Sequence, residues 1–290
     1  MPSYAYHLVN VFAESTFGGN PLCVFEDARG MDDALMQSLA LQFNLSETTF
    51  VLPSDQADAR VRIYTPGYEM RFAGHPTLGT AHVVSQVRGA GEALTLEVKA
   101  GLVPVAAEGN LWTLTAPTDG APRTERVSAS RADVASLLGL SEDDLLDDPL
   151  RVDTGNDQLL IPLKSFDAVR RAMPNPARAD WPQSSVGRRT AYVFSIGDTA
   201  ADGRQAALAR HFFVKPGGGV VEDPATGSAC ANLGGWLLTR GHPLPARLVV
   251  SQGEQAGRPS TLYLDVTEDR KIRVGGRVIA LGKGEVTVGG

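Results

Sequence analysis

The sequence predicts an α+β protein made of two copies of one unit, each a layer of short strands curled around a central helix. Three observations carry this prediction. Short β-rich runs alternate with turns along most of the chain, whose 31 glycines and 18 prolines form a larger share than usual. Two helical stretches are apolar on most sides, as enclosed helices are. Landmarks of the first half return in the second at an offset near 150 residues, the mark of a duplicated domain rather than of a short-period solenoid.

Residues 4–12 and 22–25 are β-rich and bracket the turn-forming Gly18-Gly19-Asn20-Pro21. Leu35, Met36, Leu39 and Phe43 then recur at helical spacing, with Asp32 and Asp33 at the N-terminal end and Asn44 suited to a left-handed C-terminal position. Strands follow at 48–52 and 59–64, the second closed by the turn Pro66-Gly67. Pro76 opens a helix in its first turn, with Leu78, Ala81 and the valines Val83, Val84 and Val87 among its enclosed positions. Strands at 94–98, 102–107 and 111–116 complete the first copy. Residues 121–148 read as a linker with two helix starts, Ser130-x-x-Asp133 and Ser141-x-x-Asp144, each an acidic variant of the capping box. The acidic cluster Glu142, Asp143, Asp144, Asp147 and Asp148 lacks the glycine and distant glutamate of a calcium loop and reads as a solvated, capped helix.

The second copy starts near Thr154. Gly155-Asn156 echoes Gly19-Asn20, and 209–217 echo 59–67 at an offset of 150, including the turn Pro216-Gly217. Gly74-His75 aligns with Gly227-Ser228 at an offset of 153, and Leu96 to Gly101 with Leu248 to Gly253 at 152. The second central helix carries Leu233, Trp236, Leu237 and Leu238. The 290 residues therefore divide into lobes at 1–120 and 121–290, with the last strand able to cross into the first lobe.

A formal net charge of −6 and a pI near 5.4 exclude a general polyanion binder, so no nucleic-acid partner is expected. Cys23 and Cys230 are far apart and outside any CxxC, which excludes a zinc ribbon and suits a reducing, cytoplasmic setting. No secretion signal or membrane span is visible.

Both central helices begin directly after a strand and turn, at Gly74-His75-Pro76-Thr77 and at Ala225-Thr226-Gly227-Ser228-Ala229. The first N–H groups of a helix have no intrahelical partner and lie at the positive end of its dipole, and glycine lets a ligand approach the bare backbone. Two such termini brought together would form a cleft suited to a small carboxylate-bearing molecule. No phosphate loop competes, because Gly217-Gly218-Gly219 lacks the GxxxxGK[ST] continuation.

Three longer motifs, Asn44-Leu45-Ser46-Glu47-Thr48, 72–79 (FAGHPTLG) and 222–229 (EDPATGSA), resemble the signatures of the PhzF-like family of phenazine-biosynthesis-like isomerases. Gly18-Gly19-Asn20-Pro21, Thr154-Gly155-Asn156, Gln252-Gly253 and 257–260 (GRPS) extend the resemblance over nearly the whole chain. It implies a diaminopimelate-epimerase-like fold, two pseudo-symmetric lobes each with a mixed, β-barrel-like sheet around its central helix, as well as a homodimer and no metal or organic cofactor. It also implies a cofactor-independent isomerase that moves a proton between carbons of a small carboxylate-bearing substrate in the cleft between the lobes.

Glu47 is then the principal general acid/base, with His75, Asp223 and Ser228 as further catalytic residues. Gly74, Gly227, Asn20 and Ser46 are then substrate-binding. At a helix N-terminus the dipole favours a neutral His75. His7, His82, His211 and His242 are read as structural. Racemases of this fold use two thiols, one at each helix terminus. Here those places hold His75 and Ser228, while Cys230 lies about 200° further around its helix and is expected in the core. A racemase, epimerase or dehydratase of an amino-acid-like substrate, and a non-catalytic carboxylate-binding paralogue, remain the alternatives.

Overall fold

The computed structural model describes residues 1–118, 121–175, 178, 180–185, 187–215 and 218–289. The chain divides into two compact units, Met1–Pro117 with Val274–Gly290, and Thr118–Arg273. In the first stretch the elements are β1 (Ser3–Val11), β2 (Asn20–Phe25), α1 (Asp33–Phe43), β3 (Thr48–Leu52), β4 (Ala59–Tyr64), β5 (Glu69–Met70), α2 (Gly74–Arg88), β6 (Ala93–Val98), β7 (Gly101–Glu108) and β8 (Leu111–Thr115). Then come β9 (Arg123–Arg126), α3 (Arg131–Leu137), a single 3-10 turn (Glu142–Asp144), β10 (Leu150–Asp153), β11 (Gln158–Pro162), α4 (Phe166–Arg171), β12 (Thr190–Thr199) and β13 (Gln205–Val214). The chain closes with β14 (Val220–Asp223), α5 (Gly227–Thr239), β15 (Ala246–Gln252), β16 (Ser260–Val266) and β17 (Ile272–Thr287).

In the first unit, β17, β1, β2, β3, β4, β6, β7 and β8 pair in that order, and β8 pairs back onto β17, closing an eight-stranded barrel. The β2–β3 and β4–β6 pairs are parallel, and each is bridged by a helical connection, since parallel neighbours need a crossover. α2 is the crossover between β4 and β6, and it lies against β1, β2, β3, β4, β6 and β8. Every residue of α2 from Gly74 to Val84 is buried, whereas Val87 is 46% exposed. The last turn thus emerges from the barrel, and the expectation that Val87 is enclosed does not hold. Gly79 lets the helix press against the wall, because a Cβ there would lie 2.6 Å from Leu22 and 2.9 Å from Val11.

The outside of the barrel carries α1. Asp32 accepts from the Leu35 N–H at 2.8 Å, and Asn44 ends the helix in the left-handed conformation at φ 52°, as the spacing predicts. Met36, Leu39 and Ala40 pack on Tyr4, Cys23, Phe25, Phe50 and Tyr64. Strands β2 and β3 are therefore covered on both faces, which explains their nearly unbroken apolar runs.

The second unit repeats the order. The β10–β11 pair is antiparallel, β11–β12 parallel and β12–β13 antiparallel; β13 then takes β14 antiparallel and β15 parallel, and β15 pairs antiparallel with β16. α5 begins at Gly227, the residue aligned with the first residue of α2, and packs against β10, β11 and β16. The common offset fails in one place. Leu96 sits opposite Ala59, whereas Leu248 sits opposite Gln205, four positions before the residue aligned with Ala59. A shift of four is even, so Leu96 and Leu248 both remain buried on the inward face.

Residues 121–148 are more than a linker with helices. Arg123–Arg126 is a strand paired with β10, and Val134, Ala135, Leu137 and Leu138 enter the core that covers β11, β12 and β13. Ser130 caps α3 by accepting from the Asp133 N–H, and the Ser141 box caps only one 3-10 turn. The turn Pro216-Gly217 lies outside the described residues. Among the described residues no helix is long and apolar enough to cross a membrane.

Candidate active site

The first unit brings five of the expected residues, Asn20, Ser46, Glu47, Gly74 and His75, together at the start of α2. Glu47 follows the left-handed Asn44 and immediately precedes β3, so the turn that ends α1 also aims this carboxylate. Its Oε2 lies 3.4 Å from Nε2 of His75, the second residue of α2, and both side chains are largely buried. The Pro21 carbonyl accepts a hydrogen bond from the His75 ring. Because His75 Nε2 has no hydrogen-bond partner, the donor to Pro21 is Nδ1. Nε2 therefore presents its lone pair toward Glu47. Burial pushes the His75 pKa down to about 3, so the ring is neutral and acts as an acceptor at this nitrogen.

Asn20, the first residue of β2, accepts from Ser46 Oγ at 3.2 Å, which ties the Glu47 turn to the strand next to Pro21. Gly19 must be glycine: its φ is +72°, and a Cβ would lie 2.5 Å from the Val11 carbonyl oxygen. At Gly74 the helix starts behind Ala73, which offers no side-chain cap, and the first helical bond runs from the Thr77 N–H to the Ala73 carbonyl. The N–H groups of Gly74 and His75 thus have no partner within the helix.

The second unit contains an analogous terminus. Thr226, the N-cap of α5, makes no cap bond with its side chain; its hydroxyl donates to the Asp223 carboxylate instead. Gln252 orders this turn, accepting from the Thr226 N–H at 3.3 Å and donating to the Asp223 carbonyl at 2.9 Å and to Thr226 Oγ1 at 3.1 Å. Accepting a hydrogen bond from Gln252, the Thr226 hydroxyl directs its own hydrogen to Asp223, which accepts it. Gly253 lies tightly beneath this turn, since a Cβ there would lie 2.3 Å from the Pro224 oxygen. Ser228, 7% exposed, accepts from Asn156 and Gln158. Cys230 is fully buried, and burial pushes its thiol pKa up, away from thiolate chemistry.

The structure adds residues that the sequence reading did not assign: Gln158, Asn232 and Arg188, with Asn156 and Gln252 known only as landmarks. A signal was present. Asn232 is a polar residue inside the otherwise apolar α5 and Gln158 opens the apolar β11, and both are buried. Two histidines read as structural are indeed buried: His82, whose Nδ1 accepts from the Trp112 indole at 3.1 Å, and His211. Among the described residues no group of three or more His, Cys, Asp or Glu side chains could hold a metal ion.

Fold and local geometry define a class, two-unit α+β proteins with an uncapped helix N-terminus in each unit. Residues 9–284 match the family described as phenazine biosynthesis-like protein. The chain is 42% identical to an uncharacterized isomerase of Pasteurella multocida, over 98% of this chain and 94% of that protein. It is 34% identical to trans-2,3-dihydro-3-hydroxyanthranilate isomerase of Pseudomonas aeruginosa, over 90% and 89%. The crystal structure of a PhzF-family phenazine biosynthesis protein of Bacillus anthracis superposes with a TM-score of 0.81 at 26% identity, covering 99% of this chain and all of the other. The chain belongs to the phenazine biosynthesis-like family and is an isomerase.

Proposed function

We propose that the enzyme moves a proton between carbons of a small carboxylate-bearing substrate without a cofactor, with Glu47 as the general acid/base. The observation that carries this reading is the Glu47–His75 pair: a buried carboxylate 3.4 Å from an imidazole nitrogen whose lone pair faces it. A carboxylate that removes a proton from carbon must keep it until it is returned elsewhere. His75 Nε2 supplies the acceptor that holds the carboxyl proton in that interval, and a neutral ring does so without taking it away. Asp223 is proposed to receive a donor group of the same substrate, and Ser228 with the N–H groups of Gly74 and Gly227 to bind its carboxylate and steady the charge of an enolised intermediate. Asn20 and Ser46 hold the Glu47 turn in place.

The substrate is proposed to resemble the one named for the Pseudomonas relative, a cyclic amino- and hydroxy-substituted carboxylate. Incubation with trans-2,3-dihydro-3-hydroxyanthranilate in deuterated water tests this, with isomerised product expected to carry little deuterium at the carbon that gains the proton, since Glu47 returns the proton it removed. Glu47→Gln, which keeps the shape and loses the proton carrier, is expected to lower kcat by about 10²- to 10⁴-fold. No turnover by the unmodified enzyme would overturn the substrate assignment. Deuterium at the α-carbon of an amino acid with loss of its configuration would identify a racemase instead.

A further inference from the structure

Ser228 lies in the first turn of α5, and its hydroxyl oxygen accepts from Gln158 Nε2 at 3.2 Å and from Asn156 Nδ2 at 3.4 Å. An amide can be turned end for end, so its polarity has to be traced to groups whose own polarity is fixed. Both amides can be traced in this way. The backbone N–H of Thr154, a donor only, reaches Asn232 Oδ1 at 2.9 Å, and the backbone carbonyl of Asn156, an acceptor only, receives Asn232 Nδ2 at 2.7 Å. Asn232 is therefore held in one orientation. Its Nδ2 also donates to Gln158 Oε1 at 2.8 Å, which leaves Gln158 its amino end for Ser228. On the other arm the Arg188 guanidinium, a donor only, gives Nη1 to Asn156 Oδ1 at 3.1 Å, so Asn156 also turns its amino end to Ser228.

A hydroxyl oxygen has two lone pairs and one proton. Both lone pairs of Ser228 are engaged, and its remaining capacity is to donate. We propose that Gln158, Asn232, Asn156 and Arg188 are positioning residues that fix Ser228 as a hydrogen-bond donor. The N-terminus of α5 then accepts a carboxylate oxygen of the substrate and rejects an amine in that place. Asn232 is fully buried and Gln158 is 2% exposed, so water does not redirect that arm, while Asn156 and Arg188 on the other are half-buried. The inference rests on the proposal above that Ser228 meets the substrate, and it adds what selects the end of the substrate that binds there.

The test uses 3-hydroxyanthranilate, an aromatic relative of the Pseudomonas isomerase's substrate, titrated calorimetrically into the full chain. Gln158→Glu keeps the shape and the acceptor facing Asn232 but turns an oxygen toward Ser228, drawing the hydroxyl proton inward. Asn156→Asp makes the same inversion from the Arg188 side. Gln158→Met removes one donor and supplies no acceptor. Both inverting variants are expected to weaken binding by about ten- to a hundredfold, Gln158→Met by less than about fivefold, and Gln158→Glu to add nothing to the loss in Ser228→Ala. Unchanged binding in both inverting variants, or equal losses in Gln158→Glu and Gln158→Met, would overturn the proposal while leaving the carboxylate substrate in place. Absence of binding by the unmodified enzyme would overturn both.

Discussion

His75 and His211 are buried without charge, one in each unit, and burial pushes their pKa values down to about 3 and about 4. In the unfolded chain each titrates near 6.5. Between those values the unfolded chain binds protons that the folded chain refuses, so stability falls as pH drops from about 6.5 toward 4 and is fully present above that window. Each histidine contributes up to about 1.4 kcal/mol per pH unit within it. His211 lies on the inward face of β13, opposite Tyr192 on one side and Asp223 on the other, and neither of its ring nitrogens has a partner. Urea titrations at several pH values between 7 and 4.5 should show a falling midpoint. His211→Gln should flatten that fall by about one proton's worth; an unchanged slope would mean that His211 is charged in the fold. Glu47 and His75 were singled out in the sequence because their motifs, 44–48 and 72–79, resemble a family's signatures. Gln158 and Asn232 were not, because their role depends on the direction of hydrogen bonds between segments more than seventy residues apart.

At the level of elements, local chemistry decides which boundaries a sequence reveals. α1 was readable at both ends, since Asp32 supplies the capping oxygen and Asn44 tolerates the left-handed conformation. Asp32→Ala removes the bond to the Leu35 N–H and should cost about 1 kcal/mol in equilibrium unfolding, while Asp32→Ser, which restores a capping oxygen, should recover most of it. β9 was unreadable for the opposite reason. All four of its side chains, Arg123 to Arg126, are exposed, so no alternation marks it, and only the backbone of β10 makes it a strand. The four-residue difference in register between β6 and β15 was equally hidden, because an even shift leaves the pattern of buried and exposed positions intact.

For the whole molecule, the duplication was legible because turns and helix starts recur in order. The last strand was expected to be able to cross into the first lobe; what the sequence did not reveal is that it seals a barrel there. The first barrel is closed by β17, which pairs with both β1 and β8. Deleting residues 274–290 leaves β1 and β8 each with an open edge, and their amide protons should lose hydrogen-exchange protection. Amides of β12 and β13 in the second unit should keep theirs. Equal loss in both units would show that they unfold as one body, and retained protection in β1 would show that the barrel holds without its last strand.

That late closure also bears on synthesis. A ribosome delivers the chain from its N-terminus, and domains generally fold as units in the order they emerge. Here the order is inverted. β1 to β8 leave the ribosome first but must wait for residues 274–287, so the unit between them, 118–273, is complete while the earlier strands still lack their seam. During that interval β1 and β8 each present an unpaired edge, so the part of the protein made first is the part that waits longest for its last hydrogen bonds.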